Sequence, residues 1–124
     1  MNALGTHLLA ELRACDKAKL DDLPLIRSAL LAAAQEVGAT VLGESFHKFF
    51  PQGVTGILAI AESHLCIHTW PEWGYAAVDI FTCGESFQPD KAAALLVQKL
   101  GCKSPSIIEM RRGIGVAELA VAKR

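Results

Sequence analysis

The sequence predicts an α+β fold, a two-layer sandwich in which a mainly antiparallel sheet carries two helices on one face. Two segments repeat apolar residues at helical spacing between cap signals. The stretch between them is rich in β-branched and aromatic residues and is punctuated by proline–glycine turns. No linker, low-complexity segment or charge block divides the 124 residues, so one domain over 1–124 is expected. A chain of this length buries about two-thirds of its unfolded surface.

Gly5 to Cys15 has a β-compatible centre among its alanines and leucines. Asp21-Asp22-Leu23-Pro24 reads as a helix start, because carboxylates suit the positive end of the helix dipole and proline is tolerated in the first turn. Leu25, Ile26, Ala29, Leu30, Ala33 and Val37 then recur at helical spacing, and Gly38 stands where a C-terminal glycine ends a helix. Thr40 to Phe50 reads as a strand, Pro51-Gln52-Gly53 as a turn and Val54 to Ala61 as the returning strand. Leu65 to Trp70 and Tyr75 to Thr82 form two more, separated by Pro71-Glu72-Trp73-Gly74. Pro89 opens a second helix through Ala92, Leu95, Leu96 and Leu100, closed by Gly101. Ser106 to Met110 is a short final strand, and the tail after Gly113 has no evident partner. Helices on one face leave the other sheet face bare. A second copy of the chain is its simplest cover, so a homodimer with four αββα layers is expected.

Composition narrows the class of function. Twelve basic residues against thirteen acidic ones create no field for nucleic acid or an anionic membrane. The longest apolar run is far short of the roughly 20 residues that span a bilayer. Met1 to Ala10 lacks the features of a secretory signal, and Cys15, Cys66, Cys83 and Cys102 contain no Cys-x-x-Cys pair. Free thiols in a soluble cytoplasmic protein are expected.

The densest chemistry lies in Ala61 to Tyr75, where a Glu–Ser bond, two histidines, a thiol, two tryptophans and a carboxylate fall within fifteen residues. Asp79-Ile80-Phe81-Thr82-Cys83-Gly84 follows almost at once. His64 and His68 stand four apart, a metal-binding spacing on a helix. On a strand four residues span about 13 Å, too far for two nitrogens that must each lie about 2 Å from one zinc ion. Thr69, Trp70 and Pro71 favour the strand, so no metal is expected. Taken singly, each of these residues also has an ordinary structural use. Ser63 lacks a Gly-x-Ser-x-Gly elbow, the cysteines can serve as small buried hydrophobes, and the tryptophans can be core or dimer contacts.

Five blocks in combination are far more specific. Phe46-His47-Lys48-Phe49, Pro51-Gln52-Gly53-Val54, Ala61-Glu62-Ser63-His64-Leu65, Ile67-His68-Thr69-Trp70-Pro71-Glu72 and Phe81-Thr82-Cys83-Gly84 resemble the short prokaryotic form of the S-adenosylmethionine decarboxylase family. The match runs in register from Gly5 to about Gly113. The resemblance implies a proenzyme that cuts itself between Glu62 and Ser63, leaving a β chain 1–62 and an α chain 63–124. Ser63 Oγ attacks the Glu62 carbonyl to give an ester, a step that calls for strained backbone around Ala61–Ser63. His68 then removes the α-proton of residue 63, a task suited to imidazole, and Thr55 assists through its hydroxyl. Residue 63 becomes a pyruvoyl group, so no external cofactor is needed. A substrate amine condenses with its ketone to a Schiff base, which acts as the electron sink.

The resemblance assigns Cys83 as the donor that protonates the substrate carbanion. Phe49 and Trp70 are expected to face the sulfonium and adenine of the substrate, Glu72 to accept from the ribose hydroxyls, and Leu65 to wall the pocket. The family's sites lie where two protomers meet, so these residues can serve opposite halves of one site. The reaction implied is decarboxylation of S-adenosylmethionine to the aminopropyl donor for spermidine. Pyruvoyl decarboxylases of arginine or ornithine share the self-cleaving core. A basic substrate side chain would need a distal carboxylate, for which Glu44 and Glu72 are the candidates.

Overall fold

A computed structural model describes residues 3–84 and 87–116. The elements run β1 (Gly5–Arg13), α1 (Lys17–Leu20), α2 (Leu23–Glu36), β2 (Thr40–Lys48), β3 (Val54–Ala61), β4 (Ser63–Trp70), a 3-10 turn (Pro71–Trp73), β5 (Tyr75–Cys83), α3 (Pro89–Lys99) and β6 (Ser104–Arg112). The six strands form one sheet in the order β2-β3-β4-β5-β1-β6, and every neighbouring pair is antiparallel. The helices α2 and α3 pack on each other and on the central strands. The expected two-layer α+β architecture is present.

Local chemistry accounts for the boundaries. The Asp22 carboxylate caps α2 by accepting from the Leu25 N–H, one of the amides a helix start leaves unpaired. Gly38, at φ 71°, takes the left-handed conformation that stops the helix. Three expectations need correction. A short additional helix, α1, precedes α2 and is capped by Asp16 accepting from the Lys19 N–H. The first strand stops at Arg13 rather than Cys15, because Ala14 turns to φ 54°. The last strand spans nine residues, Ser104–Arg112, rather than five, held by continuous pairing with β1. The tail beyond residue 116 lies outside the described residues.

The core sits between sheet and helices. Leu8 and Leu12 of β1, Leu58 of β3, Leu65 and Ile67 of β4 and Ile80 of β5 meet Ile26 and Leu30 of α2 and Leu96 of α3, all fully buried. Each such side chain contributes about 1.5–3 kcal/mol on burial. Strand alternation sends the intervening residues to the other face: His7 and Leu9, Thr55 and Ile57, His64, Cys66 and His68, and Ala77, Asp79 and Phe81. These stay partly or wholly exposed, so the candidate chemistry lies on the sheet face that the helices leave open.

Candidate active site

Two groups of residues occupy opposite ends of that open face. The first gathers where β2 turns into β3 beside the end of β4. Thr55 and His68 are direct cross-strand partners, and Thr55 Oγ1 lies 2.9 Å from His68 Nδ1. They form the floor of a cleft of about 320 Å³ lined also by Phe49, Gln52, Gly53, Thr69, Trp70 and Glu72. The expected aromatic pair, carboxylate, base and hydroxyl are thus brought together. Trp70 leans on Tyr75 with ring centroids 5.3 Å apart, which fixes one wall.

The cleft is pinned from behind by residues that the motifs did not single out. The Thr69 hydroxyl accepts from the Val54 N–H at 2.8 Å and donates to the Leu20 carbonyl at 2.8 Å. The Asp21 carboxylate accepts from Lys48 Nζ at 2.7 Å and from the Gly53 N–H at 2.9 Å. The Lys48 hydrogen bond, then that of Gly53, holds the Asp21 carboxyl below its ordinary range. Gly53 sits at φ 112° with the Thr69 carbonyl 3.1 Å from where a Cβ would stand, so the turn that carries Phe49 needs glycine there.

The second group lies at the far end of β4. Ser63 pairs with Thr82 across β4 and β5, next to Cys83, which pairs with Gly5 of β1. Ser63 has φ 134°, a conformation that residues with a Cβ avoid and that costs about 1–3 kcal/mol. The expected strain at the Glu62–Ser63 junction therefore has a structural counterpart. His7, His64 and Phe81 cluster beside it, with His7–Phe81 and His64–Phe81 centroids 5.4 and 5.9 Å apart. Arg112 lies over the Phe81 ring at 5.0 Å. His7 Nε2 is 3.3 Å from Asp79 Oδ1, yet it makes no hydrogen bond. Burial, followed by the charge of His7, pushes the His64 imidazole below its ordinary value, which suits a histidine kept neutral against its neighbours. Among the described residues no group of three or more His, Cys, Asp or Glu side chains is arranged to hold a metal ion.

The two groups do not meet within one chain. Ser63 and His68 are five positions apart on the same strand, about 16 Å at the rise of a β-strand. A base must come within about 3 Å of the proton it removes. Two side chains are placed away from the cleft altogether. Leu65 is fully buried against the helices, so it is a core residue and not a pocket wall. Alternation along Leu65, Ile67 and Thr69 sends it to the face opposite His68. Glu44 is bound by Arg27 of α2, whose Nε and NH2 donate to the same carboxylate oxygen at 3.0 and 2.8 Å. Its register partner is the buried Leu58, so it too points to the helix side and leaves Glu72 as the carboxylate of the cleft.

Comparison with known proteins agrees with this geometry. Residues 6–113 match the family model described as S-adenosylmethionine decarboxylase. The chain is 53% identical to the S-adenosylmethionine decarboxylase proenzyme of Thermodesulfovibrio yellowstonii over 92% of this chain and 84% of that one. It is 49% identical to the proenzyme of the same description from Acetivibrio thermocellus, covering 98% of both chains. The crystal structure of the adenosylmethionine decarboxylase from Aquifex aeolicus superimposes with a TM-score of 0.86 at 36% identity, over 92% of this chain and 94% of that one. With a matched region that takes in both groups of site residues, the chain belongs to the S-adenosylmethionine decarboxylase family.

Proposed function

We propose that this protein is a self-processing decarboxylase that converts S-adenosylmethionine to its decarboxylated form and carbon dioxide. Its working unit is a homodimer in the cytoplasm, with the open sheet faces packed together as αββα layers. The observation that carries the reading is the hydrogen-bonded Thr55–His68 pair on the floor of an aromatic cleft, in a chain that keeps Glu62, Ser63 and Cys83 at the other end of the same sheet. An antiparallel arrangement of two such faces lets residue 63 and Cys83 of one protomer meet Thr55, His68 and the cleft of its partner. A two-fold axis makes both sites alike.

In the cut, Ser63 Oγ attacks the Glu62 carbonyl, and strain at Ser63 lowers the cost of leaving the peptide geometry. His68 of the opposing protomer takes the α-proton of residue 63. For Nε2 to accept that proton, Nδ1 must carry hydrogen and donate to Thr55 Oγ1, so the hydroxyl holds the ring in the basic tautomer. The ester bond breaks toward the Glu62 carboxylate, and water replaces the freed amine to leave a pyruvoyl group. The residues present fit such a group: residue 63 starts β4 in a strained conformation, and its register partner Thr82 adjoins Cys83. Its ketone supplies the electron sink for loss of carbon dioxide. Cys83 delivers a proton to the substrate carbon, Phe49 and Trp70 stack on the sulfonium and adenine, and Glu72 accepts from the ribose hydroxyls.

Arginine or ornithine is the competing substrate class, and Glu72 is the one carboxylate lining the cleft that would meet a basic side chain. Two aromatic walls around that carboxylate favour the nucleoside. Carbon dioxide release from S-adenosylmethionine, arginine and ornithine, measured side by side on cut protein, tests this. Release from S-adenosylmethionine alone is expected, and release from arginine or ornithine alone would overturn the assignment.

A further inference from the structure

The fragment 1–62 contains one cysteine, Cys15, and the fragment 63–124 contains the other three. Cys15 lies just beyond β1 and Cys102 just before β6, past the last β1–β6 pair, Arg13 with Ser104. The Lys103 N–H donates to the Ala14 carbonyl at 3.2 Å and the Asp16 N–H to the Leu100 carbonyl at 3.0 Å. Those two bonds flank Cys15 on one segment and Cys102 on the other, holding the two backbones side by side. The Cys102 thiol is near enough to act on that of Cys15, as neighbours must be for a disulfide, which spans Cα atoms about 4.4–6.8 Å apart. Cys15 Sγ donates to the Leu12 carbonyl at 3.4 Å and Cys102 Sγ to the Arg13 carbonyl at 3.1 Å, so both thiols sit at the end of β1. Both are reduced in the structure. Cys66 and Cys83 belong to β4 and β5, on the open sheet face.

We propose that Cys15 and Cys102 form a redox-reversible disulfide that joins the two chains left by the cut at Glu62–Ser63. The joining role rests on the self-cleavage proposed above, whereas the bridge itself does not. The oxidant is a low-molecular-weight disulfide of the glutathione class. It meets the partly exposed Cys102 first, while Cys15 lines an adjoining groove with Ala14, Asp16, Gly101 and Lys103. The Cys102 thiolate attacks one sulfur of the oxidant and expels the first small thiol. Cys15 then attacks Cys102 sulfur in the mixed disulfide and expels the second. The protein loses two electrons and two protons, and the oxidant gains both as two thiols.

Cys102 reacts first because Cys15 is buried. Burial, with the Cys102 thiol adding to it, pushes the Cys15 thiol up to about 12. In the mixed disulfide only the effect of burial on Cys15 remains, and the closing step speeds up as pH rises. The Cys15 N–H also donates to the Gly74 carbonyl at 2.9 Å, so the bridge is anchored two residues from Glu72 of the cleft.

Incubating the cut protein with oxidised glutathione, quenching with an alkylating reagent and measuring intact mass without reductant tests the proposal. The expected product is one species, the sum of both chains less two hydrogens, which reductant splits into two. Cys102→Ala should leave the chains separate. Separate wild-type chains after oxidation would overturn the proposal. So would equal joining in Cys102→Ala, which would assign the link to Cys66 or Cys83. Should the protein prove uncut, the cleavage reading fails by itself. Loss of alkylation at positions 15 and 102 would then still report the bridge, and full alkylation at both would refute it.

Discussion

Complementation between two inactive variants follows from the length of β4. Ser63 and His68 are five positions apart on one strand, a separation of about 16 Å against a proton-transfer reach of about 3 Å. No side-chain rotation spans the difference, so in the proposed dimer each cut is made between protomers. Ser63→Ala and His68→Ala should each remain whole when produced alone. Produced together in equal amounts, about half of the dimers are mixed if pairing is random. Each mixed dimer holds one complete site, formed by residue 63 of the His68→Ala chain and His68 of the Ser63→Ala chain. About half of the His68→Ala chains, hence about a quarter of all chains, should then be cut. Distinct affinity tags and intact mass identify which chain was cut. If His68 serves its own chain, mixing restores nothing and the cut fraction stays at the level of the single variants.

Thr55→Val removes the 2.9 Å hydrogen bond to His68, worth about 0.5–1.5 kcal/mol, so self-cleavage should slow by about two- to tenfold; an unchanged rate in a cleavage time course would remove Thr55 from the mechanism. Cys83→Ala should be cut normally yet release carbon dioxide about 10²–10⁴-fold more slowly, and full turnover would exclude the thiol as proton donor. Leu65→Ala should lose about 2–5 kcal/mol, read as a lower thermal midpoint with KM unaltered. A raised KM at an unchanged midpoint would return Leu65 to the cleft wall. The Asp21 carboxyl has a folded value held below its ordinary 3.8, so its stabilisation is present above that value and is lost as pH falls through the folded one. Asp21→Asn should therefore lower the thermal midpoint at neutral pH, with the gap to wild type closing in acid. A gap that persists into strong acid would sever the link to Lys48 and Gly53.

Much of this molecule is legible in its sequence because local rules decide it. Asp22 and Pro24 announce α2, Gly38 ends it, and Pro51-Gln52-Gly53 turns the chain where β2 meets β3. Phe49, Trp70 and Glu72 flank turns, and the fold gathers them around one cleft. The helix α1 escapes such reading because four residues, two of them lysines, carry no apolar period. Asp21 escapes as a cleft support because its partners Lys48 and Gly53 are distant in sequence and are brought near only by packing. The place of Leu65 was readable. Apolar Leu65 and Ile67 alternate with His64, Cys66 and His68, and that alternation assigns Leu65 to the buried face. The separation of Ser63 from His68 follows equally from their sharing one strand.

Intact mass of the purified protein tests self-processing most directly. Two chains, 1–62 and 63–124, should appear, the second lighter by one ammonia than a chain that begins with serine and reactive toward a carbonyl reagent at residue 63. A single uncut chain after long incubation, or two chains with serine intact at position 63, would contradict it.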